Sequence, residues 1–158
     1  VEGMIELRLP LAPSLNHYYL NAKRKVRRGP NAGKTYIGRQ ISSEGVAFRA
    51  EVAKAVRAGH RVPPRLSGRL AIEILLVPRD RRPFDLDNRL KATWDALTEA
   101  GVIADDALFD ELRVARGNAA ASGAMFLRIR RFDPAYAMAL AAELGTVAGG
   151  LRLGAGGL

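Results

Sequence analysis

Apolar and polar positions alternate with period two over Met4-Ile5-Glu6-Leu7-Arg8-Leu9 and stop at Pro10, which predicts a first β-strand. Residues 20–42 are rich in Gly, Asn, Lys and Arg and read as a long exposed loop or a flexible hairpin. Loops of that length in a compact domain are usually functional or disordered. Ser42-Ser43-Glu44 can cap a helix reaching about Ala58, with Val46, Phe48, Val52, Ala53 and Val56 near helical spacing. Gly59, Pro63 and Pro64 end it. The run Leu70-Ala71-Ile72-Glu73-Ile74-Leu75-Leu76-Val77 is a strongly apolar strand, expected at the centre of a sheet.

Pro78 to Pro83 is a polar turn. Asp85 or Asp87 can cap the next helix, whose Leu86, Leu90, Trp94 and Leu97 make one apolar stripe and which Gly101 stops. Two strands follow near 109–116 and 124–132, separated by a turn at Gly117-Asn118. Asp133-Pro134 opens a short Ala-rich helix. Residues 145–158, mostly Gly, Ala and Leu, read as a frayed tail behind a single domain over 1–144. This order predicts a mixed α/β (α+β) domain with a mixed sheet covered by helices.

Charge changes the picture. The chain has 158 residues and net charge +9, and the excess is not spread evenly. Residues 1–67 hold 13 Lys/Arg against 4 Asp/Glu, whereas residues 68–158 hold 12 against 12. A polyanion is the natural partner for such an imbalance. The run Lys23-Arg24-Lys25-Val26-Arg27-Arg28 is read as a phosphate-contacting loop rather than a bare solvated one. Such contacts give affinity and salt dependence but read no bases.

The absence of cysteine removes disulfides, thiolate zinc sites and cysteine nucleophiles, and fits a reducing compartment. His17 and His60 are too few and too distant for a histidine metal cage. No apolar run is long enough to cross a membrane or to read as a signal peptide, so the chain reads as soluble and cytoplasmic, with no membrane partner.

Into this basic chain are gathered Asp85 and Asp87, then Asp105 and Asp106 about twenty residues on, with Lys91 between them. Magnesium prefers oxygen ligands, keeps several waters, and is often held by one or two carboxylates with substrate phosphate oxygens. If residues 85–87 are extended, both side chains point the same way. If Asp87 is in the first helical turn, Lys91 lies one turn along on the same face. Several carboxylates packed together repel one another unless a cation or shared proton compensates. A metal there would activate water and neutralise phosphate charge, and Lys91 could steady the same charge. The plainer reading makes each acid a helix cap or half of an ordinary i,i+4 surface pair.

The string Asp80-Arg81-Arg82-Pro83-Phe84-Asp85-Leu86-Asp87-Asn88-Arg89-Leu90-Lys91, running on through Trp94-Asp95-Ala96-Leu97 to Gly101 and Asp105-Asp106, closely resembles the RusA family of Holliday-junction resolvases. Pro13-Ser14-Leu15-Asn16-His17-Tyr18-Tyr19 is similar to an early segment of that family, and the resemblance covers roughly residues 4–132. It implies a RusA-like fold and a homodimeric, magnesium-dependent endodeoxyribonuclease, with manganese as the alternative ion. The implied activity resolves four-way DNA junctions in recombination and repair by paired nicks. Asp85, Asp87 and Asp106 would be the metal-binding carboxylates, and Lys91 the essential basic residue of the catalytic set. Asp105 would be a neighbouring or alternative ligand, and Asn88 belongs to the motif without an assigned role.

Two departures bear on junction selectivity. Pro83-Phe84 stands where the family has a denser arginine run, and the segment around Lys23–Lys34 and the stretch beyond Phe132 look longer. Arg81 and Arg82 flank the expected pocket and are read as DNA-binding. Tyr18 and Tyr19 could stack on an unpaired base, although core packing of at least one is the stronger expectation. Phe84 is read as an anchor of the turn rather than a junction wedge, Trp94 as core, and His17 has no evident partner. The competing functions are a nuclease for other branched DNA and a non-catalytic DNA-binding protein.

Overall fold

The computed structural model describes residues 4–60 and 63–145. The tail expected over 145–158 therefore lies, from residue 146 on, outside the described residues.

Four strands form the main sheet: β1 (Ile5–Leu9), β4 (Leu70–Val77), β5 (Phe109–Arg116) and β6 (Ala124–Arg131), in the order β1-β6-β4-β5. β6 runs antiparallel to both β1 and β4, while β4 and β5 are parallel, so the sheet is mixed as expected. The apolar run of β4 places it between β5 and β6. Period-two alternation sends Ile5, Leu7 and Leu9 of β1, Ile72, Ile74 and Leu76 of β4, and Met125, Leu127 and Ile129 of β6 into one core.

Two helices cover that face. α2 (Ser43–Gly59) begins where the Ser42 side chain accepts a hydrogen bond from the Gly45 amide, and it buries Phe48, Val52 and Val56. Val46, placed on the apolar face by spacing, is instead 58% exposed, and Gly45 takes the close approach. A Cβ on Gly45 would stand 2.7 Å from Ile41 Cγ2 and 2.8 Å from Tyr18 Cδ2, so only glycine lets the helix start sit on those side chains. α3 (Leu90–Glu99) follows a 3-10 turn over Asp87–Arg89. Neither Asp85 nor Asp87 caps it. Its N-cap is Arg89, without a side-chain cap, because the 3-10 turn absorbs Asp87 and delays the helix by three residues. The buried seam of α3 is correspondingly Ala92, Thr93, Ala96 and Leu97, with Leu86, Leu90 and Trp94 packed half-buried beside it.

The hairpin alternative for residues 20–42 is the one observed. β2 (Tyr19–Lys25) and β3 (Thr35–Ile41) pair antiparallel over seven residues, from Tyr19↔Ile41 to Lys25↔Thr35, as a separate two-stranded sheet. One four-residue helix, α1 (Leu15–Tyr18), precedes it and has no periodic signature in sequence. α4 (Pro134–Glu143) is capped by Asp133, whose side chain accepts from the Ala135 amide, and buries none of its residues. α2 and α3 thus cover one face of the main sheet, while on the other face Arg113 of β5 lies 4.5 Å from the centre of the Tyr136 ring of α4. No helix among the described residues is long and apolar enough to cross a membrane.

Candidate active site

The loop after β4 is held by its own arginines. Arg82 donates to Asp80 at 2.7 Å, which keeps the Asp80 carboxyl below its usual range. The guanidiniums of Arg89 and Arg116 lie 4.8 and 4.6 Å from the centre of the Phe84 ring, and Arg116 Nη2 donates to the Phe84 carbonyl. Phe84 is therefore the anchor of this turn. Arg89 also donates to the Ala12 carbonyl, and Asn88 Oδ1 accepts from the Leu15 amide at 3.1 Å. The two polar residues that follow Asp87 thus fasten the motif to the segment leading into α1. That gives Asn88 a role its spacing left open.

With neighbours so engaged, Asp85 and Asp87 stay exposed, and no described residue pairs with either carboxylate. Asp105 has a separate job: its Oδ1 accepts from the Ala107 amide at 2.8 Å and caps the 3-10 turn over Asp106–Leu108. Asp106 is left free to face α3. Lys91 Nζ stands 3.5 Å from Asp106 Oδ2 and 2.7 Å from Asp95 Oδ1.

Asp95 is a junction of the fold that sequence reading missed. Its Oδ2 accepts from the hydroxyls of Tyr19 (3.0 Å) and Tyr18 (3.2 Å) and from Arg49 Nη2 (3.3 Å). Arg49 also donates to the Tyr18 hydroxyl and to Glu99, each at 2.5 Å. Burial alone would raise the Asp95 pKa, but hydrogen bonds from Lys91 and Tyr19 and the lysine charge outweigh it and hold the carboxyl below its usual range. The same hydrogen bond raises the pKa of Lys91, so its ammonium is firmly charged. Burial pushes the Tyr18 hydroxyl up to about 12. Two signals pointed here, the i,i+4 spacing of Lys91 and Asp95 and the adjacent tyrosines, but nothing in sequence joins them.

The structure brings Lys91 to Asp106 and leaves Asp87 one turn before Lys91, with Asp85 two residues further back on the approach to α3. It does not assemble the expected acidic pocket. Among the described residues, no group of three or more Asp, Glu or His side chains could hold a metal ion. Like-charge repulsion favours that separation, and the lysine takes up Asp106.

Lys23, Arg24, Lys25, Arg27 and Arg28 line the exposed hairpin, with the last two in its turn; Arg81 and Arg82 are exposed on the loop after β4. The hairpin is rooted at Tyr19, over whose ring Arg39 lies at 5.1 Å and whose hydroxyl touches Asp95. Tyr18 is fully buried, so it is not a base-stacking platform. His17 does have an acidic neighbour, Glu44 at 3.8 Å.

Comparison with known proteins shows the family. A family model described as endodeoxyribonuclease RusA matches residues 13–130. Crossover junction endodeoxyribonuclease rusA of Enterobacteria phage 82 is 37% identical over 121 residues, covering 77% of this chain and 89% of that protein. The phage HK97 protein of the same name is 34% identical over 125 residues, covering 79% and 92%. The Escherichia coli K12 protein is 36% identical over 121 residues, covering 77% and 89%. With most of its length matched and identity above a third, the chain belongs to the RusA family of endodeoxyribonucleases.

Proposed function

We propose that this chain is a crossover junction endodeoxyribonuclease that nicks opposed strands of four-way DNA junctions in recombination and repair, working inside the cell as a homodimer. The observation that carries the reading is Lys91, held by Asp95 and directed at Asp106, beside two unpaired carboxylates of the same motif.

Membership of the family implies a divalent metal requirement, and magnesium, with manganese as substitute, fits the donors present. Asp85, Asp87 and Asp106 offer hard oxygens, and Asp85 and Asp87 are exposed and unpaired. They do not form a closed cage, which suits an ion that keeps its waters and takes few carboxylates besides phosphate oxygens. Asp85 and Asp87 would hold it together with substrate phosphate oxygens, with Asp106 joining only if drawn away from Lys91, and when bound it would supply charge neutralisation and water activation.

The chain's own groups do the rest. The Lys91 ammonium, fixed by Asp95, balances negative charge building on the phosphate or the leaving oxygen. Lys23, Arg24, Lys25, Arg27 and Arg28 on the hairpin, with Arg81 and Arg82, contact backbone phosphates and orient the duplex without reading bases. Because the hairpin springs from Tyr19, a DNA arm lying on it is led towards Asp95 and Lys91.

The test is cleavage of synthetic DNAs (four-way junction, fork, flap and linear duplex) with magnesium or with chelator. The expected result is paired cutting confined to the junction and abolished by chelator. Equal cutting of forks and flaps would move the substrate assignment to branched DNA in general. No metal-dependent cutting of any DNA would overturn the enzyme.

A further inference from the structure

A cleft of about 450 Å³ opens beside the acidic motif, between the approach to α1, the first turn of α2 and the loop after β4. That size lies within the range of small-ligand sites. Leu11, Pro13, Pro78 and Pro83 give it an apolar wall, and the three prolines carry no N–H. Its charged groups are of both signs. Arg82 is already taken by Asp80, which leaves Arg79 and Arg89 with Glu44 and His17. Arg89 gives one amino group to the Ala12 carbonyl and sets its guanidinium 4.8 Å from the centre of the Phe84 ring. Its Nε is nevertheless buried with no hydrogen-bond partner, and no described residue accepts from its Nη2. Arg79 makes no hydrogen bond or ion pair with a described residue either. Burial pushes the Arg89 pKa down, Glu44 opposes the fall, and the charge of Arg79 adds to it. Two like charges thus share the cleft with one unspent acid, itself 3.8 Å from His17. Buried donors nearly always find partners, so this cationic floor calls for an acceptor from outside.

We propose that this cleft takes one unpaired nucleotide of the DNA strand held at the acidic motif, with its base on Arg89 and the proline wall and its phosphate at Arg79. The chemistry selects that occupant. A bare phosphate needs only cations, and Glu44 and Asp80 would repel it. An apolar side chain would bury the Arg79 and Arg89 charges without pairing them. A nucleotide meets both demands, because a base has two flat apolar faces and a hydrogen-bonding edge while its phosphate is anionic. Bases stack on guanidinium planes as they do on aromatic rings, and Glu44 and His17 stand ready for the edge of the base.

The cleft and the acids share one segment. Phe84 and Arg89 line the cleft, while Asp85 and Asp87, which lie between them in sequence, do not. A strand held at those carboxylates therefore passes the mouth of the cleft. No base inside a stacked duplex can enter. Extruding one costs unstacking and unpairing, least where pairing is already interrupted, as it is at a branch. The hairpin touches phosphates of any duplex, whereas this cleft is filled only beside a branch. It is the part of the chain that confines cutting to branched DNA, and in that it rests on the nuclease reading.

Four-way junctions with one abasic nucleotide, placed in turn at each position next to the branch, are titrated with the wild type in chelator, so that binding is read without cleavage. One abasic position is expected to weaken binding about tenfold, the loss of one stacked base. Ser14 lines the cleft and its side chain makes no capping hydrogen bond, so Ser14→Trp fills the cleft at no cost in hydrogen bonds. That variant is expected to bind the intact junction about tenfold more weakly, to show no further abasic penalty, and to keep its affinity for linear duplex. Glu44→Gln, at an exposed position, is expected to shrink the penalty with unchanged circular dichroism. Equal affinity of the wild type for intact and abasic junctions, or a penalty that Ser14→Trp leaves untouched, would overturn the proposal. Free nucleotides share the chemistry and are tested as a millimolar mixture of the four deoxynucleoside monophosphates. A rise in melting temperature that Ser14→Trp abolishes, without any abasic penalty, would assign the cleft to them and overturn the proposal too. Full junction cutting without abasic sensitivity would sink the cleft alone. Abasic sensitivity in a chain that never cuts would sink the nuclease alone.

Discussion

Lys91 Nζ lies 2.7 Å from Asp95 Oδ1, one helical turn along α3, and the same ammonium reaches Asp106 at 3.5 Å. As a bare i,i+4 surface pair it would contribute only a few tenths of a kcal/mol. It is more than that here because the other Asp95 oxygen is fixed by two tyrosines and an arginine from outside α3. Asp95 therefore sets where the lysine points.

Replacing Asp95 with Asn keeps an acceptor for the tyrosines but removes the charge that steers Lys91. Weakening a charge-assisted hydrogen bond by about 1–2 kcal/mol predicts a roughly 5- to 30-fold lower single-turnover cleavage rate. Junction affinity should stay within about threefold, because the hairpin is untouched. Asp95→Glu, which restores the charge, should recover part of the rate. Unaltered cleavage by Asp95→Asn would show that the lysine needs no such anchor.

The same carboxylate predicts a pH signature. Its folded pKa is lowered, so the stability it confers is present above the ordinary value of 3.8 and is lost as pH falls through the lowered folded value. Lys91, whose pKa is raised, contributes stability below its ordinary 10.5 that fades as pH climbs past the folded value. Urea midpoints of the wild type should therefore fall more steeply below pH 4 than those of Asp95→Asn. Parallel curves for the two proteins in acid would contradict the electrostatic role.

The basic hairpin should govern affinity and not chemistry. Changing Lys23, Arg24 and Lys25 together to Ala removes up to three charges that neutralise phosphates. For duplex arms, the slope of log K against log salt should flatten by up to about 0.9 for each phosphate no longer neutralised. Cleavage at saturating junction should persist within a few-fold. An unchanged salt slope would place the DNA elsewhere.

Much of the fold was legible because its signals are local. The run over residues 70–77, the Ser42 cap and the Asp133-Pro134 start each produced the expected element. Long-range relationships were not. Asp95 stands 76 and 77 residues from the tyrosines it binds, and no period or spacing links them. Asp87 looked like a helix cap because the acid-then-apolar pattern is the same whether an α-helix or a 3-10 turn follows. The acids at 85, 87 and 106 were legible as chemistry but not as geometry. Their expected convergence is not found among the described residues, where Asp106 faces a lysine instead. The departure of α4 from the core was also hidden, since its alanines fit a buried or an exposed helix equally well.

The most direct test of the central claim is single-turnover cleavage of a four-way junction by Asp106→Asn beside the wild type, in magnesium, with junction binding measured on the same samples. If Asp106 and Lys91 belong to a nuclease centre with Asp85 and Asp87, cleavage should fall by about 100-fold or more, the loss of roughly 3 kcal/mol of transition-state stabilisation, while binding holds or tightens. Wild-type cleavage by the variant would remove Asp106 from the chemistry and contradict the account.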